Sequence, residues 1–315
     1  MAATPPNNST NVRSRTRRSE DLPLAVRATR AGFRVIGPYA PALASRYAER
    51  LFLTPRRHRR PAWEEQALAT AERFAVPHDG RMLPAWRWGA GAATVLLVHG
   101  WEGRGSQLAR LAEPLVSRGL SVVTFDVPGH GDAPRGLASV VEHARAIASV
   151  AVHVGALHAI VGHSVGGAAS LFATRLGVRA DRLALVAPPV SPARFGTMLG
   201  LDASLQRRML ARLERRFGLR MEELDVRSDA ARWPRPLLVV HDVGDRVVPF
   251  SDGESIARAA PEGRLVSTHG LGHQRVLRAP EVLDAVVAFV AEGARAEASF
   301  RESIDGELFF RELRW

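Results

Sequence analysis

From residue 94 onward, short unbroken apolar runs alternate with amphipathic stretches. The runs 94–100 (TVLLVHG), 121–126 (SVVTFD), 158–163 (HAIVGH), 182–188 (RLALVAP) and 236–242 (PLLVVHD) are continuous and β-rich. That is the form of strands buried on both faces of a sheet. A sixth run, 264–270 (RLVSTHG), is weaker. Between the runs, residues 105–117, 136–152, 165–176, 252–260 and 280–292 carry apolar positions at helical spacing. Alternating β and α units predict an α/β fold, a mostly parallel sheet with helices on both faces. RFAVP and LPAWRW, around the turn His78-Asp79-Gly80, predict a leading antiparallel hairpin.

Two stretches depart from this rhythm. Residues 189–235 form a long interval after a strand and predict a small helical lid. In it Leu205, Met209, Leu213 and Phe217 would turn inward, with Arg208, Arg212 and Arg215 in solvent. Upstream, Tyr39, Leu43, Tyr47 and Leu51 recur every four residues and predict an amphipathic helix over 38–53, with Pro38 and Pro41 in its first turn. Its Tyr39/Leu43/Tyr47/Leu51 face is expected to dock on the sheet domain. Weak peripheral membrane contact through residues 38–53 stays open as the alternative. The resulting organisation is a disordered basic tail (1–22), an N-terminal helix and linker (23–60), a sheet domain with its lid (61–295), and a C-terminal tail (296–315).

Composition narrows the chemistry. With 315 residues, 46% of them hydrophobic, the chain can bury a sizeable core. It has no cysteine, which excludes disulfides, thiolate–zinc sites and a cysteine nucleophile, and fits a reducing compartment. The formal charge is +11, and every one of the 43 basic residues is arginine, so lysine Schiff bases and Walker lysines are excluded as well. No aromatic platform is interleaved with the arginines, so no nucleic-acid partner is expected. No apolar run approaches the roughly 18–20 residues of a membrane span. The one apolar candidate after the basic N-terminus is broken by Arg27, Arg30 and Arg34, so a secretory signal is not expected. A cytoplasmic location is the expectation.

Three glycines surround one serine in AIVGHSVGGAASLF (159–172). Glycine inside a regular element costs roughly 0.5–1 kcal/mol against alanine, so such a cluster implies a sharp turn or a close approach. Gly162-His163-Ser164-Val165-Gly166 has the form G-x-S-x-G, directly after a strand and before a helix, the setting of a nucleophile elbow. Ligands of open α/β sheets bind at the carboxyl ends of the strands. The polar residues following the strands are His99, Asp126, Ser164, Asp242 and Asp245, and His269 and His273.

At this rim the chain resembles the α/β-hydrolase superfamily, particularly its esterase, lipase and serine-aminopeptidase-like members. The resemblance spans about residues 70–292 and rests on LLVHGWEG (96–103), FDVPGHGDA (125–133), VGHSVGG (161–167), HDVGDRVVP (241–249) and GLGH (270–273). It implies Ser164 as nucleophile, His273 rather than His269 as general base, and Asp245 rather than Asp242 as the acid orienting it. The oxyanion donors would be the backbone N–H groups of Trp101 and Val165, with the Trp101 ring walling an acyl pocket. His163 is expected to point away from the nucleophile as a hydrogen-bonded packing residue, and His99, His130 and Asp126 to shape loops. No cofactor and no metal are implied. The expected partner is a small-molecule carboxylic ester or related acyl compound. Cofactor-free perhydrolase or lyase chemistry, and a non-catalytic membrane-surface binding protein, are the alternatives.

Overall fold

The computed structural model describes residues 24–191 and 199–292. The tails expected over 1–22 and 296–315, and part of the lid, lie outside them. Three helices come first: α1 (Leu24–Ile36), α2 (Pro41–Leu53) and α3 (Ala62–Ala69). The strands are β1 (Glu72–His78), β2 (Arg81–Trp88), β3 (Thr94–Val98), β4 (Ser121–Phe125), β5 (Leu157–His163), β6 (Ala180–Val186), β7 (Leu237–Asp242) and β8 (Gly263–Thr268). Helices α4 (Ala112–Val116), α5 (Val140–Val154), α6 (Val165–Thr174), α7 (Ala203–Phe217), α8 (Val226–Arg232), α9 (Phe250–Ala259), α10 (Gly272–Arg275) and α11 (Pro280–Ala291) connect or follow them.

All eight strands form one sheet in the order β1-β2-β4-β3-β5-β6-β7-β8. Only the β1–β2 and β2–β4 pairings are antiparallel. Asp79 and Gly80 close the hairpin with φ of 44° and 71°, the left-handed pair that Asp-Gly tolerates and that matches strand twist. Alternate residues of the central strands enter two separate cores. Leu96, Val98, Ile160 and Val239 pack with α5, α6 and α9, while Val95, Leu97, Val161 and Val240 pack with α4 and α11. Burial on both faces is why these strands read as unbroken apolar runs. β8, the weaker run, is the sheet's edge and is mostly exposed.

The helix expected over 105–117 is a 3₁₀ stretch, Gly105–Leu111, followed by the short α4. A continuous α-helix would set the Pro114 ring against the Arg110 carbonyl; restarting at Ala112 puts Pro114 in a first turn instead. α5 begins at Val140, later than the expected 136, because the Ser139 hydroxyl caps it by accepting the Glu142 N–H at 3.1 Å.

The N-terminal helices correct the sequence reading. α2 forms, but of its Tyr39/Leu43/Tyr47/Leu51 face only Leu51 packs on the core, while the half-exposed Tyr47 ring rests on Phe33 of α1. Tyr39 is 88% exposed, Leu43 64% and Tyr47 52%. The buried face is Ala44, Ala48, Glu49 and Leu53, and it lies against the lid helix α7. Two alanines let the helices approach closely, and the Glu49 carboxylate accepts hydrogen bonds from Arg212 Nε at 2.5 Å and Arg216 Nε at 2.8 Å. Burial opposes ionisation of Glu49, yet the two guanidinium groups hold its carboxyl below the usual range. Arg212 therefore bridges helices, where solvent was expected. Leu205, Met209 and Leu213 are buried as their spacing requires, and Phe217 is half-buried. α1 and α3 were not apparent from periodicity. In α3, the buried Glu64 carboxylate accepts hydrogen bonds from Arg104 Nε and Nη2, at 2.5 and 2.7 Å, tying the helix to the sheet domain. No described helix is long and apolar enough to cross a membrane.

Candidate active site

The chain turns from β5 into α6 at Ser164, whose φ of 52° and ψ of −124° are strained for a residue with a side chain. Its N–H donates to Val186 O at 2.8 Å, which fixes the turn against β6. The glycines have a steric cause. A Cβ on Gly162 would lie 2.6 Å from Gly167 Cα, and one on Gly166 would lie 2.3 Å from His99 O and 2.6 Å from Val98 O. These neighbours are backbone and cannot move aside. Gly100 is wedged similarly, since its Cβ would sit 3.0 Å from Ser164 Cβ. The loop carrying Trp101 thus runs directly against the serine.

His273, expected in a loop but lying in the short helix α10 after β8, places Nε2 3.0 Å from Ser164 Oγ and Nδ1 2.7 Å from Asp245 Oδ2. Asp245 Oδ1 accepts the Val247 and Val248 N–H groups at 2.7 and 3.0 Å. Burial works against the Asp245 carboxylate, but hydrogen bonds from His241, His273 and Val247 hold its carboxyl well below the ordinary range. An ionised acceptor at Nδ1 keeps the proton there and leaves the Nε2 lone pair facing the serine hydroxyl.

Asp242 does not touch His273. Its Oδ2 accepts Thr268 Oγ–H at 3.0 Å and Leu271 N–H at 2.9 Å, and its Oδ1 accepts Gly244 N–H at 2.9 Å. It staples the end of β7 to the histidine loop. His269 is exposed at the end of the edge strand. His163, expected to point away, lies under His273: its Nε2 donates to the His273 carbonyl at 3.0 Å and the ring centroids are 4.9 Å apart. Burial pushes the His163 pKa down to about 3, so the imidazole is neutral. This support was not legible from the motif, where position 163 is unrestricted.

Asp126 shapes its loop by accepting the Gly105 and Asp132 N–H groups, both at 2.7 Å. Burial raises its pKa to about 6. His99, His130 and His143 are buried together, with candidate ligand atoms within 4.8 Å of one another. His99 Nε2, however, accepts the Val127 N–H at 3.1 Å while Nδ1 donates to Gly100 O at 2.8 Å. Only the His130 and His143 Nε2 atoms lack a partner. Two imidazoles fall short of the three or four ligands of a zinc site, so the cluster carries no metal assignment.

Ser164 and His273 open into a cavity of about 490 Å³ whose walls are mainly apolar. Trp101, Val141, Leu213, Phe217, Met221 and Leu224 line it. So do Val26, Leu51 and Phe52 from the N-terminal helices, which sequence reading left outside the site. The adjacency of Leu51 and Phe52 at the end of α2 was the available signal. A larger basic groove of about 990 Å³ holds Arg46, Arg50, Arg57 and Arg135 but neither Ser164 nor His273. Ser164 and His273 face only the smaller, apolar one.

Residues 95–288 match the model of the alpha/beta hydrolase family. An uncharacterized protein of Mycobacterium tuberculosis is 31% identical over 231 residues, covering 69% of this chain and 77% of that protein. The dihydrolipoyllysine-residue acetyltransferase component of the acetoin cleaving system of Cupriavidus necator is 37% identical over 139 residues; the match covers 43% of this chain and only 35% of that relative. Among solved structures, a putative lipase from Acinetobacter baumannii AYE has a TM-score of 0.58 at 16% identity, covering 75% of this chain and 96% of its own. Est1E from Butyrivibrio proteoclasticus, solved with ferulic acid, has a TM-score of 0.58 at 18% identity, covering 72% and 99%. These two share the fold with this chain.

Proposed function

The chain belongs to the alpha/beta hydrolase family, and we propose that it is a serine hydrolase cleaving a carboxylic ester with an apolar acyl part. One observation carries this reading: the hydrogen-bonded run Asp245–His273–Ser164 ends at the floor of an apolar cavity. In the proposed cycle Ser164 Oγ attacks the ester carbonyl carbon while its proton passes to His273 Nε2. The Nδ1–H stays on His273, donated to Asp245, which stabilises the imidazolium without taking the proton. The backbone N–H groups of Trp101 and Val165 are assigned to the developing oxyanion, each worth roughly 2.7–4 kcal/mol. His273 then protonates the departing alkoxide, leaving an acyl group on Ser164. A water molecule, deprotonated by the same nitrogen, attacks that acyl-enzyme and releases the acid and the free serine.

The cavity makes the substrate class testable. Each methylene buried is worth about 0.8 kcal/mol, or roughly a fourfold gain in kcat/KM. Across p-nitrophenyl acetate, butanoate, hexanoate and octanoate, kcat/KM should therefore climb by roughly 15-fold per two-carbon step until the cavity is filled. A flat or falling series would refute the acyl assignment.

A further inference from the structure

Of the α2 face expected to dock, Tyr39, Leu43 and Tyr47 point outward, and they do not form an ordinary solvent face. Val35 and Ile36 end α1 at 66% and 49% exposure, and Tyr39, Leu43 and Tyr47 continue the apolar row across the turn and along α2. On α2 itself Leu43 and Tyr47, four residues apart, lie on one side of the helix. Arginine occupies the same side: Arg46 and Arg50 fall one turn apart beside Tyr47, and Arg27 and Arg34 are exposed on α1. Over residues 24–60 the chain has nine arginines and a single carboxylate, Glu49. That carboxylate is buried and already paired with Arg212 and Arg216. Arg56 and Arg60 pair instead with Glu102 and Asp132, so among the described residues the outer surface of the hairpin offers large apolar side chains beside Arg27, Arg34, Arg46 and Arg50, with no carboxylate of its own.

We infer that the outer face of the α1–α2 hairpin docks on an anionic lipid surface. Tyrosine and leucine insert at the headgroup boundary, and arginine pairs with the phosphates above it. A protein partner buried at such a patch would need both an apolar pocket and carboxylates matched to each arginine. A lipid surface supplies both without specific geometry. Val26 on α1 and, in the last turn of α2, Leu51 and Phe52 line the cavity beside Ser164, so docking here would bring the cavity to the lipid. The inference concerns binding and stands whether or not the bound lipid is hydrolysed.

The test is co-sedimentation of the full chain with vesicles of 1:1 phosphatidylglycerol and phosphatidylcholine, against pure phosphatidylcholine. Tyr39→Asp/Leu43→Asp is the variant, because two well-exposed side chains can change without disturbing the fold. Thermal unfolding and p-nitrophenyl acetate turnover serve as controls. Wild type should bind the anionic vesicles, bind neutral ones far less, and release in high salt; the variant should lose roughly tenfold or more in partitioning with both controls unchanged. Equal partitioning of wild type and variant, or no binding of wild type to anionic vesicles, would overturn the inference. So would a dimer in sedimentation velocity that the variant dissolves without any vesicle binding, which would make the face an interface between copies.

Discussion

Asp245→Asn separates the two aspartates beside the histidine loop most sharply. The new amide can keep its oxygen at the Oδ1 position, where Asp245 accepts two backbone N–H groups, from Val247 and Val248. Flipping it would surrender both, at about 1 kcal/mol each, so the NH₂ must face His273 Nδ1. That nitrogen, now 2.7 Å from a donor, has to become an acceptor. The ring proton moves to Nε2, which then presents a donor to Ser164 Oγ at 3.0 Å and cannot take its proton. Loss of the reactive tautomer is worth roughly 10⁴ in kcat, or about 5.4 kcal/mol. Folding loses one charge-assisted hydrogen bond, about 1.5–3 kcal/mol. Asp242→Asn does the opposite. Its amide must leave the Leu271 N–H or the Gly244 N–H facing an NH₂, costing about 1–3 kcal/mol of stability while His273 keeps its tautomer. The assay is kcat on p-nitrophenyl butanoate beside urea unfolding of both variants. A folded Asp245→Asn protein within tenfold of wild type would refute the reasoning.

Other consequences follow from packing and charge. Gly166→Ala, forcing a Cβ to 2.3 Å from a backbone carbonyl, should cost about 3 kcal/mol and lower Tm by roughly 6–12 °C. Gly32→Ala, with nothing within 4 Å in the interior of α1, should hold or raise it by calorimetry. Glu49→Gln removes the charge that two arginines address. Because Arg216 is 45% exposed, the loss should be about 2 kcal/mol in urea unfolding, below the 3–5 kcal/mol of a fully buried pair. His163, with its pKa held down to about 3 against 6.5 for the free side chain, binds its proton only in the unfolded chain between those values. Its contribution to stability is whole above pH 6.5 and falls by about 1.4 kcal/mol per pH unit on acidification. In His163→Asn, stability measured from pH 7 to pH 5 should fall less steeply by about one proton. An unchanged slope would mean that His163 is not buried and neutral.

Where sequence and structure agree, burial was uniform. β3 to β7 are enclosed by helices on both faces, so their apolar runs admit only one reading, and the glycines around Ser164 stand against backbone that no larger residue could meet. Position 273 was legible through the GLGH motif (270–273) that the family resemblance rests on, which sets it apart from His269 at the end of the strand. The α2 face was misread because large apolar side chains outweigh alanine in a periodicity argument. What decides the contact is that Ala44 and Ala48 permit close approach and that Glu49 requires Arg212 and Arg216. α1 was missed because Arg27, Arg30 and Arg34 interrupt its apolar row. Val26 could be placed in the cavity only once the hairpin's position over the sheet was known. The support of His163 for His273 has no local signal at all, since 110 residues separate the partners.

The central claim is that Ser164 is acylated, and covalent labelling addresses it most directly. After treatment with a fluorophosphonate, intact-mass spectrometry of the wild-type protein should show one adduct, mapped by peptide analysis to Ser164, with ester turnover abolished in proportion. Ser164→Ala should be folded, unlabelled and inactive. An unlabelled wild-type protein that still hydrolyses esters, or a Ser164→Ala variant that is labelled or turns over at the wild-type rate, would contradict the account.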